Sequence, residues 1–250
     1  MTKLNPQFED LQQPETIINH VQQLTKTKAT PHAEILKQLI EQFEPLDFEA
    51  LANPQNIENF KVTAKHYLVL SIEHTLQLAE KNNWGLCKYH DFIFLYNGTY
   101  WNELDKDDFQ RFLGEIVEKM GVPEFTAKYF LFREQLFKQF LAVAHLEQNP
   151  PSPNKVLINL QNGTFEINSK GIQLRPFDRA DFITYQLPFE YDTQAKAPIW
   201  QKYLDRVVPD KERQDVLAEF LGYIFLKHGS SLKLEAALIL YGGGANGKSV

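Results

Sequence analysis

A chain of 250 residues that is 43% hydrophobic and 13% aromatic has material for one large or two ordinary packed domains, and it reads as a soluble globular protein. Its formal net charge of −6 argues against a surface given over as a whole to nucleic acid, while leaving room for a local basic groove. The single cysteine, Cys87, excludes an intrachain disulfide and points to a reducing, cytoplasmic setting, and no segment has the length of a membrane span or the pattern of a secretory signal.

Residues 1–56 read as a small helical segment. Pro14 and Pro31 stand where helices start, and apolar residues recur at helical spacing in Ile17, Ile18, Val21 and Leu24 and again in Ile35, Leu36, Leu39, Ile40 and Phe43. Asn53-Pro-Gln-Asn56 marks a boundary, after which a long helical pattern runs from Ile57 to Lys81, with Tyr67, Leu68, Leu70, Ile72, Leu76 and Leu78 as its core positions. The period then changes. Asp91–Tyr96 and Thr99–Trp101 flank Asn97-Gly98, which predicts a hairpin closed by a type I′ turn. Helices are expected at about Asp105–Met120 and Thr126–His145, ended by Pro150-Pro-Ser-Pro153. A second hairpin, Val156–Gln161 and Thr164–Ile167 about Asn162-Gly163, precedes further short strands within 172–187. Pro198 opens a helix holding Trp200, Tyr203 and Leu204, and Val216–Leu226 continues helical to the break at Gly229-Ser-Ser231.

Three groups of residues invite a functional reading along the way. Lys119, Lys128, Arg133 and Lys138 lie in one helical stretch, and solvated charges on an amphipathic face account for them better than a DNA groove does. Tyr96, Tyr100 and Trp101 have faces able to stack on unpaired bases, but cross-strand packing is the commoner role for hairpin aromatics. Of the seven histidines, His66 and His74 stand two turns apart on one helix face, but a metal site wants closer ligands with a carboxylate or thiol beside them, and ordinary surface or core histidines are the favoured reading. Asp105, Asp107 and Asp108 suit the N-terminus of a helix.

The most specific feature comes last. Gly242-Gly-Gly-Ala-Asn-Gly-Lys-Ser249 fits G-x-x-x-x-G-K-[ST], a pattern that chance produces in about one chain in a hundred of this length. It follows Ala236–Tyr241, an unbroken apolar run expected to form a parallel strand buried on both faces. Gly242, Gly243, Gly244 and Gly247 let backbone N–H groups approach phosphate oxygens, with Ala245 and Asn246 completing the loop. Lys248 is the candidate catalytic side chain, reaching the β- and γ-phosphates of ATP, and the Ser249 hydroxyl is the candidate ligand for Mg2+.

Together with this loop, Asn159-Leu-Gln-Asn-Gly163, Leu187-Pro-Phe-Glu-Tyr191, Pro198-Ile-Trp200, Tyr203-Leu204 and Leu221-Gly-Tyr223 resemble the region before and into the ATPase core of the phage and plasmid primase–helicase family, superfamily 3 helicases. Tyr96-Asn-Gly-Thr-Tyr-Trp101 extends the likeness upstream. The resemblance implies a mainly helical α+β accessory region with β-hairpins leading into a truncated P-loop (AAA+-like) α/β core. Its divisions are a helical segment 1–56, a pre-helicase domain 57–228, and the first strand and loop of the ATPase domain at 229–250. It implies a homo-hexameric ATPase working on single-stranded or forked DNA, with replication-initiation partners and no membrane. The acidic pair, sensor and arginine finger of such an enzyme are expected beyond Val250, so the fragment alone is expected to be inactive, and no primase activity is expected. Two other readings stay open: a DNA- or partner-binding module with an unused loop, and a different P-loop ATPase such as a replication initiator or packaging motor.

Overall fold

The structure is a computed structural model that describes residues 30–145, 155–225 and 237–241. The expected helix after Pro14, the Pro150–Pro153 and Gly229–Ser231 breaks and the Gly242–Ser249 loop lie outside the described residues. Two compact units emerge. The first holds the described residues up to His145 together with 177–186, and the second holds 155–176 and the described residues from Leu187 onward.

In the first unit, α1 (His32–Gln42) starts after Pro31 and buries Ile35 and Leu39, and a short α2 (Phe48–Ala52) is capped by Asp47, whose Oδ1 accepts the Ala50 N–H at 2.9 Å. Helix α3 spans Ala64–Lys81, seven residues shorter than its apolar pattern suggests. Asn56 and Asn59 take positive φ values of 51° and 59°, which an L-residue helix excludes, and Asn53 holds both the N–H and the carbonyl of Ile57 through its side chain. On α3 the fully buried line is Ser71, Ile72, Thr75 and Ala79, while Tyr67, Leu68, Leu70, Leu76 and Leu78 are only partly buried. Small side chains there let α6 approach closely, and Thr75 satisfies its own hydroxyl on the Ser71 carbonyl at 2.7 Å.

Strands β1 (Gly85–Tyr89), β2 (Phe92–Tyr96) and β3 (Trp101–Leu104) form an antiparallel meander. Alternation assigns the faces: Leu86, Ile93 and Leu95 join the helical core, while Cys87, Tyr96 and Trp101 form a second cluster with Phe94 and Phe182. The expected type I′ turn is corrected. Tyr96 pairs with Trp101, which leaves four residues in the loop, and of these only Gly98 has positive φ. The Asn97 Oδ1 instead accepts the N–H groups of Thr99 and Tyr100, both at 3.0 Å, in an Asx turn.

Helix α4 (Lys106–Lys119) is capped by Asp105, whose Oδ1 accepts the N–H groups of Asp107 and Asp108 at 2.9 and 3.0 Å. The single helix expected over Thr126–His145 is two, α5 (Glu124–Lys128) and α6 (Phe130–Val143), with Tyr129 extended between them. Arg133 makes that break tenable: its Nε donates to the freed Ala127 carbonyl at 3.0 Å and its Nη2 to Glu118 at 2.7 Å. Gly114 of α4 makes room for the guanidinium, since a Cβ there would lie 3.0 Å from Arg133 Cζ. Phe109 and Phe140, ring centroids 4.5 Å apart, join α4 to α6 at the centre of the core.

In the second unit, β4 (Lys155–Leu160), β5 (Gly163–Asn168) and β6 (Gly171–Arg175) form another antiparallel meander. Leu160 pairs with Gly163, so the turn is Gln161-Asn162, one residue upstream of expectation. Helices α7 (Pro198–Val207), with proline at its first position, and α8 (Lys211–Tyr223), capped by Asp210, follow. Helix α8 starts five residues before Val216 because the Asp210 carboxylate accepts the Glu212 N–H. Residues 237–241 correct the expected strand: they form none, and Ile239, Leu240 and Tyr241 are exposed. A parallel strand takes its hydrogen bonds from neighbours, and among the described residues no strand lies beside these five. The described fold is thus α+β, with helices and two small antiparallel sheets.

Candidate functional site

Every sequence-predicted nucleotide-site residue, Gly242 through Ser249, lies outside the described residues, as does the helix that would follow. What the structure places is the domain in front of that loop.

The motif residues of the second unit meet one another. The Leu187 N–H donates to the Asn159 carbonyl at 2.9 Å and the Gln161 N–H to the Phe189 carbonyl at 3.0 Å. Asn162 then clamps Tyr191 from both sides, donating Nδ2–H to its carbonyl at 2.9 Å and accepting its N–H on Oδ1 at 3.0 Å. Asn159–Gly163 and Leu187–Tyr191 are therefore one structural feature, sealed by Phe165 against Tyr191 with centroids 4.7 Å apart. On the same sheet Glu166, 8% exposed, binds Arg175 Nε at 2.7 Å, Asn168 Nδ2 at 2.8 Å and Lys155 Nζ at 3.2 Å. The Arg175 guanidinium, with help from Asn168 and Lys155, holds its carboxyl down at about 2. This cluster stays ionised and fixes β4, β5 and β6 to each other; it has no proton to offer at neutral pH.

Helices α7 and α8 are joined by a polar network. Asp205 accepts from Gln201, Gln214 and Lys211, which hold its carboxyl at about 2, the lysine contributing most. Gln214, 7% exposed, also donates to the Val208 carbonyl at 2.8 Å. Gln201, Leu204 and Asp205 thus form the α8 side of α7, and its other side carries Ile199, Lys202 and Arg206.

In the first unit Trp101, 2% exposed, lies across Gly85 and against Tyr96 and Phe182. Its Nε1–H donates to the Arg179 carbonyl at 2.9 Å and its backbone N–H to the Ile183 carbonyl at 2.8 Å. Phe182 adopts φ 46°, ψ 50° to deliver its ring, a conformation that costs an aromatic residue about 1–2 kcal/mol. Tyr96 and Trp101 are therefore packing residues, as expected, and Tyr100 packs edge-on against His32 with centroids 4.6 Å apart. The basic stretch is likewise engaged. Lys119 donates to the Ile40 carbonyl, Lys128 pairs with Glu124, Arg133 with Glu118 and Lys138 with Glu134. His66 accepts the Thr63 N–H at 3.1 Å and His74 packs on Phe43, and no group of metal-ligating residues occurs among the described residues. No helix of the described residues is long and apolar enough to cross a membrane.

Sequence reasoning missed the aromatic and basic outer side of α7; the signal was the i, i+4 spacing of Lys202 and Arg206 beside Ile199 and Tyr203. Comparison with curated proteins finds no match. A family model described as D5 N terminal like matches residues 78–209, from the end of α3 through both sheets to the end of α7. That is more than half of the chain, which therefore belongs to the D5 N terminal like family, the N-terminal region of phage and plasmid primase–helicase proteins.

Proposed function

We propose that the chain is the N-terminal part of an ATP-dependent superfamily 3 DNA helicase acting in phage or plasmid DNA replication in the cytoplasm. The observation that carries this reading is an order along the chain: a D5 N terminal like region ends at residue 209, and Gly242-Gly-Gly-Ala-Asn-Gly-Lys-Ser249 follows shortly after it. The donor set suits a nucleoside triphosphate with Mg2+. Glycine-lined backbone N–H groups would face the phosphate oxygens, the Lys248 ammonium the β- and γ-phosphates, and the Ser249 hydroxyl the metal ion. Bound there, the nucleotide would supply the free energy for movement along DNA. A homo-hexamer on single-stranded or forked DNA, with initiation partners, is the assembly this reading carries.

The test is Lys248→Ala in the protein translated from the whole reading frame. Mg2+-dependent ATP hydrolysis and strand separation are both expected to fall at least about 100-fold, with the far-UV spectrum unchanged. Hydrolysis at the wild-type rate by the folded variant would refute the assignment.

A further inference from the structure

In the first unit Lys119, Lys128, Arg133 and Lys138 are held by local partners, whereas Lys37, Lys65 and Lys81 are exposed without an ion pair among the described residues. Lys196, Lys202 and Arg206 are exposed, and none of them has an ion pair among the described residues. The acid of the same helix, Asp205, is turned the other way and neutralised by Lys211.

Lys196 lines an aromatic surface, and Lys202 and Arg206 lie on the same helix as Trp200 and Tyr203. Trp200, 45% exposed, stacks on Tyr203 with centroids 5.6 Å apart and planes 24° from parallel. Together with Ile199, 86% exposed, Pro198 and the Lys196 stem they line an apolar groove of about 560 Å3. Trp84 and Trp101 lie in cores at 8% and 2% exposure, so Trp200 stands apart from the other two tryptophans. An exposed indole costs hydration without a packing return, and a purely charged surface needs no groove. A chain of phosphates spaced between flat, apolar bases matches both parts at once.

We infer that the outer side of α7 is a single-stranded DNA platform, in which a base stacks on Trp200 in the groove while Lys196, Lys202 and Arg206 hold the flanking phosphates. Bases offer the π-face that the indole wants, and an unpaired strand alone exposes it, so the surface selects single strands over duplex. The inference deepens the helicase reading by giving its DNA partner a place on the described residues, and it does not depend on nucleotide binding.

The experiment titrates the 250-residue chain against a fluorescein-labelled oligothymidylate, reading anisotropy and tryptophan emission at several salt concentrations. Binding is expected to quench emission, and Trp200→Ala to weaken it by about 5- to 100-fold. Trp200→Phe keeps a stacking ring and so should retain most affinity while losing the quenching. The double variant Lys202→Gln, Arg206→Gln should lower the slope of log affinity against log salt by about 1.4, two single-strand phosphate contacts. All three substituted side chains are exposed, and circular dichroism checks that each variant is folded. The platform is overturned if the wild-type chain does not bind, if a duplex of equal length binds as tightly, if Trp200→Ala binds within about twofold of wild type, or if quenching survives in Trp200→Phe. A Lys248→Ala protein that still hydrolyses ATP sinks the helicase reading and leaves these outcomes untouched.

Discussion

Replacing Trp101 by phenylalanine keeps an aromatic ring in the second cluster but removes the indole N–H and about three heavy atoms. The lost hydrogen bond runs to the Arg179 carbonyl at 2.9 Å, and that oxygen keeps a weaker donor, the Phe182 N–H at 3.3 Å. The penalty therefore sits near the net value of one bond, about 1 kcal/mol, rather than that of an orphaned carbonyl. The missing atoms include Cη2, the atom that would meet a Cβ on Gly85 at 3.0 Å, in a site only 2% exposed. A void there, walled by backbone and rings that relax little, adds about 1–2 kcal/mol. Trp101→Phe should thus destabilise the first unit by about 2–3 kcal/mol, which is about 8–12 °C in melting temperature for a unit of this size. Urea unfolding followed by far-UV circular dichroism measures it, and the m-value should be unchanged. A loss under about 0.5 kcal/mol would refute the claim that Trp101 anchors residues 177–186. Because the indole is packed, the folded variant should bind oligothymidylate as the wild type does; selective loss of binding at full stability would revive base stacking at this hairpin.

Two further substitutions test the second sheet. Glu166 has a folded pKa of about 2 against an ordinary value of 4.5, so its stabilisation is complete above about pH 5 and is lost as pH falls through 2. The full shift corresponds to about 3 kcal/mol, which solvent around the one-third exposed Lys155 reduces to about 1–2 kcal/mol. Glu166→Gln should flatten the decline in stability across about pH 6 to pH 3, where carboxylates titrate, and an unchanged decline in urea unfolding across that window would rule the cluster out as the cause. Gly163 has φ 147°, and a Cβ there would lie 2.6 Å from the Arg175 carbonyl, so Gly163→Ala should cost about 2–3 kcal/mol by forcing β6 away. Gly222→Ala, where a Cβ meets nothing within 4 Å inside α8, should be neutral or stabilising, and equal effects from the two would defeat the steric argument.

Periodicity and caps made most helices legible: Asp105 and Pro198 start α4 and α7 as their chemistry requires, because both act through bonds within one turn. Features decided by distant partners were not legible. Nothing local ends α5 at Tyr129, since the break depends on Arg133 reaching back to Ala127 and on Gly114 of another helix leaving space. Both hairpins were legible but not their turns. Asn97 spends its oxygen on an Asx turn and Asn162 spends its amide on Tyr191, so neither supplies the left-handed residue of a type I′ turn. Strand β1, Gly-Leu-Cys-Lys-Tyr, carries too little β-branched or alternating signal to stand out. Of the candidate site, the residue types of the nucleotide loop were plain in the sequence. The exposed stacking of Trp200 on Tyr203 needed the structure, because no sequence pattern separates an exposed indole from a core one.

The family match covers a stretch in which the two units interleave along the chain. Residues 177–186 belong to the first unit, yet the segments on either side, 155–176 and 187–191, pair with each other in the second. Each unit is therefore discontinuous in sequence: Trp101 finds its acceptor 78 residues downstream, and Asn162 finds Tyr191 29 residues away. No cut between β3 and Tyr191 leaves both sets of bonds intact, since a chain ended before Phe177 strips Trp101 of Arg179 and Phe182 and strips Asn162 of Tyr191. The match from residue 78 to residue 209 spans that interleaved stretch together with α7, the helix on which the free cations lie.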